Sequence, residues 1–584
     1  MKNFLKFKKN IIHNSLFIIL LIASFFRLYG LNWDQGQHLH PDERFLTMVL
    51  TSMKIPTSLS NYLNPKVSTM NPYNIGYSFF VYGTFPLYLT KVLGVLSGNN
   101  DYGTIHFVGR ILSAFFDVGT VFLIYLISKK LQITNYKLQI TPLLAAFLYS
   151  IMVLPIQLSH FFAVDTFLNF FIILSFYFLI LLITNPPITN YQLLITSALL
   201  GGAFGLALAC KISAALFLPI IGFGFFYLFF PLKSLKLPKL LKIFTSGVIF
   251  LFTSFLVFRL FQPSTFSSAN FLDLTPNPQF LKNLKELKSF DNPRTTYPPA
   301  IQWLSTKPII FPLKNLVLWG VGLPLGIIAI LSVFYTIVVL LSCYLNKNKT
   351  TKSHDSLFII HNSLILVWIL LLFTYQGLQF AKPMRYFLPI YPFLALTSAI
   401  LISKLNIKFI IFIIFITIIY PFSFLSIYSR PITRVTASKW IYENVPPGST
   451  VSFEEWDDGL PLGLPNYPPP NFKTESFFMY DFDTPEKWKR INEKLVKVDY
   501  IFLTSNRAYG STMKLPEKYP QTTAYYQSLF NGTGNFKKVA EFTSRPCFLP
   551  FGNKHWFCFN DDSADESFTV YDHPKVMIFQ KSLR

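Results

Sequence analysis

Residues 165–184 read DTFLNFFIILSFYFLILLIT, a run of twenty positions in which Asp165 is the only charged residue. A run of this length and composition can cross the hydrocarbon core of a bilayer as one α-helix. Ten more apolar runs near this length lie at 11–31, 105–128, 142–159, 192–210, 213–230, 241–261, 316–344, 359–380, 386–403 and 407–428. The sequence therefore predicts a polytopic α-helical membrane protein with about eleven transmembrane helices.

The composition of the whole chain agrees with this class. Of the 584 residues, 52% are hydrophobic and only 14% are charged, whereas a soluble domain has about 25% charged residues. The net charge of +23 is unevenly placed: residues 1–429 hold 32 basic and 10 acidic side chains, and residues 430–584 are nearly neutral. Basic residues between apolar runs are typical of cytoplasmic loops, so this charge does not indicate nucleic-acid binding.

The lysine clusters also predict an orientation. They precede the first run and then follow the second, sixth, eighth and tenth runs, which places them all on one side of the membrane. The residues are Lys2, Lys6, Lys8, Lys9, Lys129, Lys130, Lys137, Lys233, Lys236, Lys239, Lys242, Lys347, Lys349, Lys352, Lys404 and Lys408. We expect a multi-pass protein with a cytoplasmic N-terminus and an extracytoplasmic C-terminus.

This orientation divides the chain into two parts. Residues 1–429 form the transmembrane domain, with outer loops at 32–104 and 262–315, and residues 430–584 form an extracytoplasmic domain. In the second part, helical periodicity at 433–445 and 484–497 alternates with four strand-like segments, which predicts a small α/β domain. These segments are STVSFEE (449–455), VDYIFLT (498–504), KKVAEFT (537–543) and KVMIFQK (575–581). Cys547 and Cys558 lie in this domain, so an oxidising space would permit a disulfide between them.

The segment 71–90 of the first outer loop is interrupted by glycine and proline too often for an ordinary span. It predicts an interfacial or re-entrant helix against which a polyprenyl chain could dock.

Acidic residues are scarce in the transmembrane part, and a carboxylate near hydrocarbon is costly, so each one is a candidate for function. Asp42 and Glu43 form the only adjacent pair, in GLNWDQGQHLHPDERF (30–45). Like charges this close raise the pKa of one partner, which suits a general base, although a polar loop could hold such a pair by chance. His38 and His40 lie beside the pair, but their spacing specifies no metal geometry, and we favour local hydrogen bonding over a metal site.

The chain resembles the GT-C glycosyltransferases, and among them the protein O-mannosyltransferases and related bacterial carrier-dependent enzymes with an outer C-terminal domain. The resemblance starts at HPDE (40–43), which is similar to the family's acidic loop motif. The similar stretches that follow in order are VGRILSAFFDVGTV (108–121), SHFFAVDTFLNFF (159–171), RYFLPIYPFLAL (385–396) and YDHPKVMIF (571–579). The resemblance implies a GT-C fold in a bacterial-type cell membrane. His160 departs from it, because many relatives have arginine at that position.

The resemblance also implies site residues. Asp42 matches the family's catalytic base, with Glu43 beside it as a tuning or orienting group. Three cations at outward span ends are candidates for binding lipid phosphate, each with simple snorkelling as the alternative. They are Lys211, Lys382 and Arg385.

The remaining candidates are orienting groups. Asp165 is expected to orient the acceptor or Lys211, with ion pairing to His160 or another cation as the alternative. His160 is also a candidate for orienting the acceptor, and His40 is an orienting residue of the acidic loop. Arg110 and Asp117 share one face of their helix, and interhelical pairing is the better interpretation for them.

The predicted activity is transfer of a sugar, mannose or another hexose, from a polyprenyl-phosphate carrier to an acceptor hydroxyl on the outer membrane face, with inversion. The implied partners are the lipid-linked sugar, membrane lipids and an acceptor protein, glycolipid or polysaccharide. No cofactor and no metal are predicted. The alternative from another class is a transporter or flippase of lipid-linked saccharide, which predicts inverted repeats and charges near span centres.

Overall fold

The computed structural model of the chain describes residues 2–131, 140–184, 190–229, 237–294, 297–345, 353–548 and 557–582. Several of the lysines that predict the orientation, such as Lys137, Lys233 and Lys347, lie outside these ranges. The cytoplasmic position of the N-terminus therefore stays a prediction.

The part of the chain before residue 430 is helical. Its helices are α1 (Lys2–Leu28), α2 (Pro41–Ser52), α3 (Leu59–Leu63), α4 (Phe85–Leu96), α5 (Ile105–Lys130), α6 (Thr141–Ser150), α7 (Val153–Ser159), α8 (Asp165–Thr184), α9 (Asn190–Cys210), α10 (Leu218–Phe229), α11 (Leu237–Phe261), α12 (Pro278–Ser289), α13 (Ile310–Asn315), α14 (Leu323–Leu345), α15 (Ser353–Leu378), α16 (Tyr391–Ile402) and α17 (Ile407–Leu425). Short 3-10 turns at Ile212–Phe217 and Met384–Ile390 lead into α10 and α16.

The predicted spans are helical where the structure describes them. Eight helices are long and apolar enough to cross a membrane, and α6 with α7 forms a ninth candidate that is bent by 57°. The other two predicted runs contain shorter apolar helices, at 14–28 and 212–228. The chain is thus a polytopic helical membrane protein.

The segment 71–90, predicted to form an interfacial or re-entrant helix, is helical only in part. Most of this segment is irregular, and α4 begins only at Phe85 and continues to Leu96. Its first residues, including Phe85, Leu87 and Tyr88, are buried in the protein rather than laid on a membrane surface.

One buried ion pair ties the helices together. Asp117 of α5 accepts a hydrogen bond from Arg27 of α1 (2.5 Å) and another from Tyr149 of α6 (2.5 Å). Burial makes an unpaired charge very costly, so the three groups fix the register of these helices. Asp117 therefore pairs between helices as expected, and so does Arg110 on the same face of α5, which pairs with Glu43 of α2.

The C-terminal region is a five-stranded sheet with helices on both faces. The elements are α18 (Thr433–Asn444), β1 (Thr450–Glu454), β2 (Lys473–Phe477), α19 (Pro485–Lys497), β3 (Tyr500–Leu503), α20 (Arg507–Thr512), α21 (Pro520–Asn531), β4 (Phe536–Phe542), β5 (Cys547–Phe548), β6 (Phe557–Cys558), α22 (Glu566–Thr569) and β7 (Val576–Lys581). The strand order is β2-β1-β3-β7-β4. Strand β1 runs parallel to its neighbours β2 and β3. Strand β7 runs antiparallel to its neighbours β3 and β4. Cys547 and Cys558 are joined by a disulfide across β5 and β6.

Alternation along β3 explains the layers. Tyr500 and Phe502 pack with α18, whereas Ile501 and Leu503 pack with α19 and α21, because successive strand side chains point to opposite faces. The predicted α/β class is therefore present, although β2, an edge strand with polar residues, was not predicted.

His573 connects this sheet region to the helices. Its ring nitrogens contact Asp572 (2.5 Å) and Asp561 (2.9 Å), and Asp572 accepts hydrogen bonds from Tyr428 (2.8 Å) and Gln157 (3.0 Å). Burial lowers the pKa of His573, but the two carboxylates outweigh it and raise that pKa to about 10. The ring is therefore a buried cation that fixes the tail segment YDHP against the membrane domain.

Candidate active site

Helix α2 begins in a way that turns its two acids in different directions. His40 is the N-cap residue, its Nδ1 accepts a hydrogen bond from the Glu43 N–H (3.3 Å), and Pro41 occupies the first helical position. Acidic residues in a first turn also interact favourably with the helix dipole. Since successive helical residues are about 100° apart around the axis, Asp42 and Glu43 point to different neighbours.

Glu43 points into the protein. Its carboxylate receives two hydrogen bonds from Arg110 of α5, 2.9 and 2.5 Å long, and one from the Phe162 N–H (2.8 Å). Arg110 also donates to Asp34 (3.1 and 2.9 Å), and all three side chains are fully buried. Burial raises the pKa of Glu43 while Arg110 opposes that shift.

Asp42 points to a partly open region on the other side of α2. Its carboxylate forms an ion pair with Arg385, and the two side chains are 18% and 22% exposed. Burial raises the pKa of Asp42, but the positive charge and the hydrogen bond of Arg385, together with the charge of Lys211, outweigh it and lower that pKa to about 2. The raised pKa expected for one member of the acid pair therefore belongs to Glu43 and not to Asp42, and its main cause is burial rather than the neighbouring acid.

A second ion pair lies beside the first. Lys211, which follows α9, reaches Asp165 at the start of α8 with 3.1 Å between Nζ and Oδ1. The Lys211 ammonium lies 4.3 Å from the ring centre of Tyr386, and the Arg385 guanidinium lies 5.7 Å from the same ring. Asp165 thus pairs with Lys211, which fits both the predicted orienting role and the alternative of simple ion pairing, and Tyr386 lies near both cations.

Tyrosines complete the surroundings of Asp42. Tyr82 interacts with the Asp42 carboxylate, and its own pKa is raised well above the usual value by burial and then by that charge. Tyr571 lies 4.5 Å from the His40 ring, and both line a narrow cavity with Arg385 and Phe161. Burial lowers the pKa of His40 to about 4, so this imidazole is neutral at pH 7.

Two predicted site residues lie elsewhere. His160 is fully buried, with its ring nitrogens near the carbonyl oxygens of Ile156 and Tyr29 and its ring stacked on Tyr428. It therefore supports the fold and contacts neither Asp165 nor an open surface, a correction to its predicted orienting role.

Lys382 is also separate from Lys211 and Arg385. Its ammonium donates to the carbonyl oxygens of Phe380 (2.8 Å) and Gln379 (3.3 Å), and burial lowers its pKa. The predicted set of three cations is thus reduced to two by the geometry.

Within the described ranges, no group of three or more His, Cys, Asp or Glu side chains is arranged to hold a metal ion. His38 lies against His106 and Tyr102, away from the cavity lined by His40. The histidines of the acidic loop therefore do not converge on one point.

Sequence reasoning missed the three tyrosines of the site. Tyr386 and Tyr571 lie inside the quoted stretches RYFLPIYPFLAL and YDHPKVMIF, so their positions were available, but 30 tyrosines in the chain hide a functional one. Tyr82 had a weaker signal still, as one of several aromatic residues in the irregular segment before α4.

Comparison with known proteins agrees with the architecture. Residues 75–262 match the family model described as dolichyl-phosphate-mannose-protein mannosyltransferase. No curated protein matches the chain.

Two solved structures share the fold. The oligosaccharyltransferase of Archaeoglobus fulgidus tethered to an acceptor peptide containing the NVT sequon has a TM-score of 0.54 at 14% identity, over 98% of this chain and 89% of that chain. Archaeal AglB from the same organism, in complex with an inhibitory peptide and a dolichol-phosphate, has a TM-score of 0.53 at 15% identity, over 89% and 72%. The predicted resemblance is confirmed: the chain has the GT-C membrane fold, with a mannosyltransferase-like segment at 75–262.

Proposed function

We propose that this chain is an inverting glycosyltransferase that moves a hexose, with mannose as the first candidate, from a polyprenyl-phosphate carrier to an acceptor hydroxyl. The observation that supports this best is the partly exposed Asp42–Arg385 pair with Lys211 beside it. A carboxylate can take the proton of a hydroxyl, and two cations can stabilise a departing phosphate. Glycosyl transfer from a lipid phosphate to a hydroxyl uses both a proton acceptor and groups that stabilise the departing phosphate.

The proposed reaction is a single displacement. The acceptor oxygen forms a bond to the anomeric carbon as the bond from that carbon to the carrier phosphate oxygen breaks. The hydroxyl proton moves to Asp42, and the electron pair of the broken bond leaves with the polyprenyl phosphate. Arg385 and Lys211 are the groups proposed to hold that phosphate through charge-assisted hydrogen bonds.

The ion pair also suggests how the base becomes active. A carboxylate with a pKa of about 2 is a weak base, and a general base works best with a pKa near the working pH. When the carrier phosphate engages Arg385, Asp42 loses part of the positive charge that lowers its pKa. Binding of the lipid-linked sugar would therefore make Asp42 a stronger base.

The proposed partners follow from this reaction. The carrier supplies a phosphate for the two cations and a polyprenyl chain for the lipid-facing surface. The acceptor contributes a hydroxyl and is a protein, a glycolipid or a polysaccharide.

The test uses purified protein in nanodiscs with undecaprenyl-phosphate [14C]mannose and a cell-envelope extract as the acceptor mixture. We expect radiolabel to leave the carrier with the parent protein and with Glu286→Gln, a variant of an exposed acid on α12. Asp42→Asn should leave the label on the carrier. Loss of label that is equal in all three proteins would contradict the role of Asp42.

A second arm tests the transporter alternative. In sealed proteoliposomes a flippase moves intact labelled carrier across the bilayer without releasing mannose. Translocation with no transfer to the extract would contradict the glycosyltransferase assignment.

A further inference from the structure

The chain that follows α11 forms a closed loop, residues 266–276, which we call the anchor loop. Phe266 and Pro276 form an antiparallel bridge, and the Ser267 N–H donates to the Thr275 carbonyl oxygen (2.9 Å). The loop is therefore a fixed structural feature with a defined position beside the helix that precedes it.

The anchor loop turns back along α11. The Arg259 guanidinium donates to the carbonyl oxygens of Ser268 (2.6 Å) and Asn270 (2.7 Å) and lies 4.0 Å from the Phe266 ring. The Phe271 ring lies 6.3 Å from that of Phe255. Phe255 precedes the end of α11 at Phe261 by about 9 Å, at 1.5 Å per residue. The loop therefore lies beside residues of α11 that belong to the membrane span.

The far end of this loop is apolar and uncovered. Leu272 is 85% exposed and Leu274 is 65% exposed. The adjoining helix presents exposed apolar side chains of its own, among them Phe252 and Leu256, and α11 is the least buried of the eight candidate spans in the described residues. The two leucines thus continue the lipid-facing surface of α11.

Asp273 lies between the two leucines, and its charge is accommodated locally. Its carboxylate accepts a hydrogen bond from the Thr275 N–H (3.0 Å), which turns it toward the loop backbone. A charge held this way is compatible with the polar boundary of a membrane.

The anchor loop is also linked to the candidate active site. In α12, which follows it, Gln279 donates to the Ser78 carbonyl oxygen (2.7 Å) and Asn283 donates to those of Ser78 (3.0 Å) and Phe80 (3.3 Å). Tyr82 follows Phe80 by two residues in the sequence and interacts with Asp42. A displacement of the loop would therefore be transmitted to the segment that carries Tyr82.

We propose that the anchor loop inserts Leu272 and Leu274 among the lipid acyl chains of the leaflet on the side of the C-terminal domain. The partner is lipid because the leucines extend a surface of α11 that a membrane span must present to hydrocarbon. The inserted loop fixes the height of α12, and through it the backbone of Ser78 and Phe80, relative to the bilayer. This inference does not depend on the reaction proposed above.

The test is spin-label accessibility in nanodiscs, in a Cys343→Ser background because Cys343 is a partly exposed free thiol. Labels at Leu272→Cys and Leu274→Cys are compared with a lipid reference, Phe252→Cys, and a water reference, Lys285→Cys on α12. Oxygen partitions into hydrocarbon and a nickel chelate stays in water. We expect the oxygen-to-nickel collision ratio at both leucine positions to be severalfold above that of Lys285→Cys and close to that of Phe252→Cys.

Either of two other results would overturn the proposal. A ratio near that of Lys285→Cys would place the leucines in water. Labels shielded from both oxygen and nickel would show that protein covers them, as in contact with a second copy. Asp273→Cys serves as the matched neighbour, and its ratio should lie below those of the two leucine positions.

Discussion

Asp42 and Glu43 are consecutive residues of one helical turn, yet they belong to two ion clusters of opposite character. Glu43 joins Asp34 and Arg110 in a cluster that is fully buried, with hydrogen bonds to both carboxylate oxygens. Asp42 joins Arg385 in a cluster that keeps about a fifth of each side chain exposed. Both clusters pair carboxylates with an arginine, but only the second can exchange its partner for a substrate.

The comparison separates two uses of an acid–arginine pair. A buried pair with every oxygen occupied locks elements together, and removal of one partner leaves an uncompensated charge. A partly exposed pair costs less to open, so an incoming phosphate can replace the carboxylate on the arginine. Substitutions in the two clusters should therefore affect different measurements.

Asp42→Asn should have the largest effect on activity. The variant keeps the size of the side chain but removes the proton acceptor, and general base catalysis contributes about 10²–10⁴-fold. We expect turnover to fall by that order, with a melting temperature in matched detergent close to that of the parent. Near-normal turnover in Asp42→Asn, together with an inactive but folded Glu43→Gln, would exchange the roles of the two acids.

Arg110→Met should have the largest effect on stability. It leaves Glu43 and Asp34 buried without a cation, and such a loss costs about 3–5 kcal/mol. The matched control is Arg44→Met, whose partner Asp458 is partly exposed, and whose loss should cost about 0–1 kcal/mol. Thermal unfolding followed by intrinsic fluorescence measures both. An Arg110 variant as stable as the Arg44 variant would show that the buried cluster does not stabilise the fold.

Arg385→Gln should change the pH dependence of the reaction. In the parent, Asp42 has a lowered pKa of about 2, so it stays ionised down to that pH. Without the guanidinium that pKa rises toward and above its ordinary value of 3.8, because burial then dominates. An acid limb near or above pH 4 should therefore appear in kcat/KM, which reports the free enzyme.

The same variant should bind the carrier less tightly. Loss of a charged hydrogen bond of about 1.5–3 kcal/mol predicts about 10–100-fold weaker binding of the lipid-linked sugar. An unchanged acid limb and an unchanged affinity would remove Arg385 from the proposed mechanism.

Asp165→Asn should have the smallest effect. It frees the Lys211 ammonium from a partly exposed pair worth about 0–1 kcal/mol. We expect KM for the lipid-linked sugar to change less than about fivefold and kcat to change little, since Lys211 keeps its contact with Tyr386. Lys211→Gln in the same assay should raise KM more. The reverse order would mean that Asp165 acts on the substrate directly.

The class of the protein was predictable from the sequence because it depends on local patterns. Apolar runs such as 165–184 have the length of a bilayer, and their helical form needs no tertiary partner. The predicted strands of the C-terminal region formed for a similar reason, since short apolar runs such as YIFL in β3 and VMIF in β7 have the length and composition of buried strands. Edge strand β2, polar on its exposed positions, lacked that signal.

Site residues were predictable only in part. The scarcity of acids directed attention to Asp42, Glu43 and Asp165, and the ends of spans directed it to Lys211 and Arg385. Their grouping came from folding, which brings residues 42 and 385 into one ion pair across 343 positions of sequence. No local pattern encodes such a contact, and none distinguished Lys382, which turns to backbone carbonyls, from Arg385.

By itself, the sequence determined the membrane-spanning class, the position of the acidic loop and the set of charged residues from which a site could be built. Only the tertiary structure decided which acid is exposed and which is locked, because a rotation of about 100° between helical neighbours sends Asp42 toward Arg385 and Glu43 toward Arg110. Burial and charge partners set the pKa of each acid, and both are properties of the surroundings that distant segments supply.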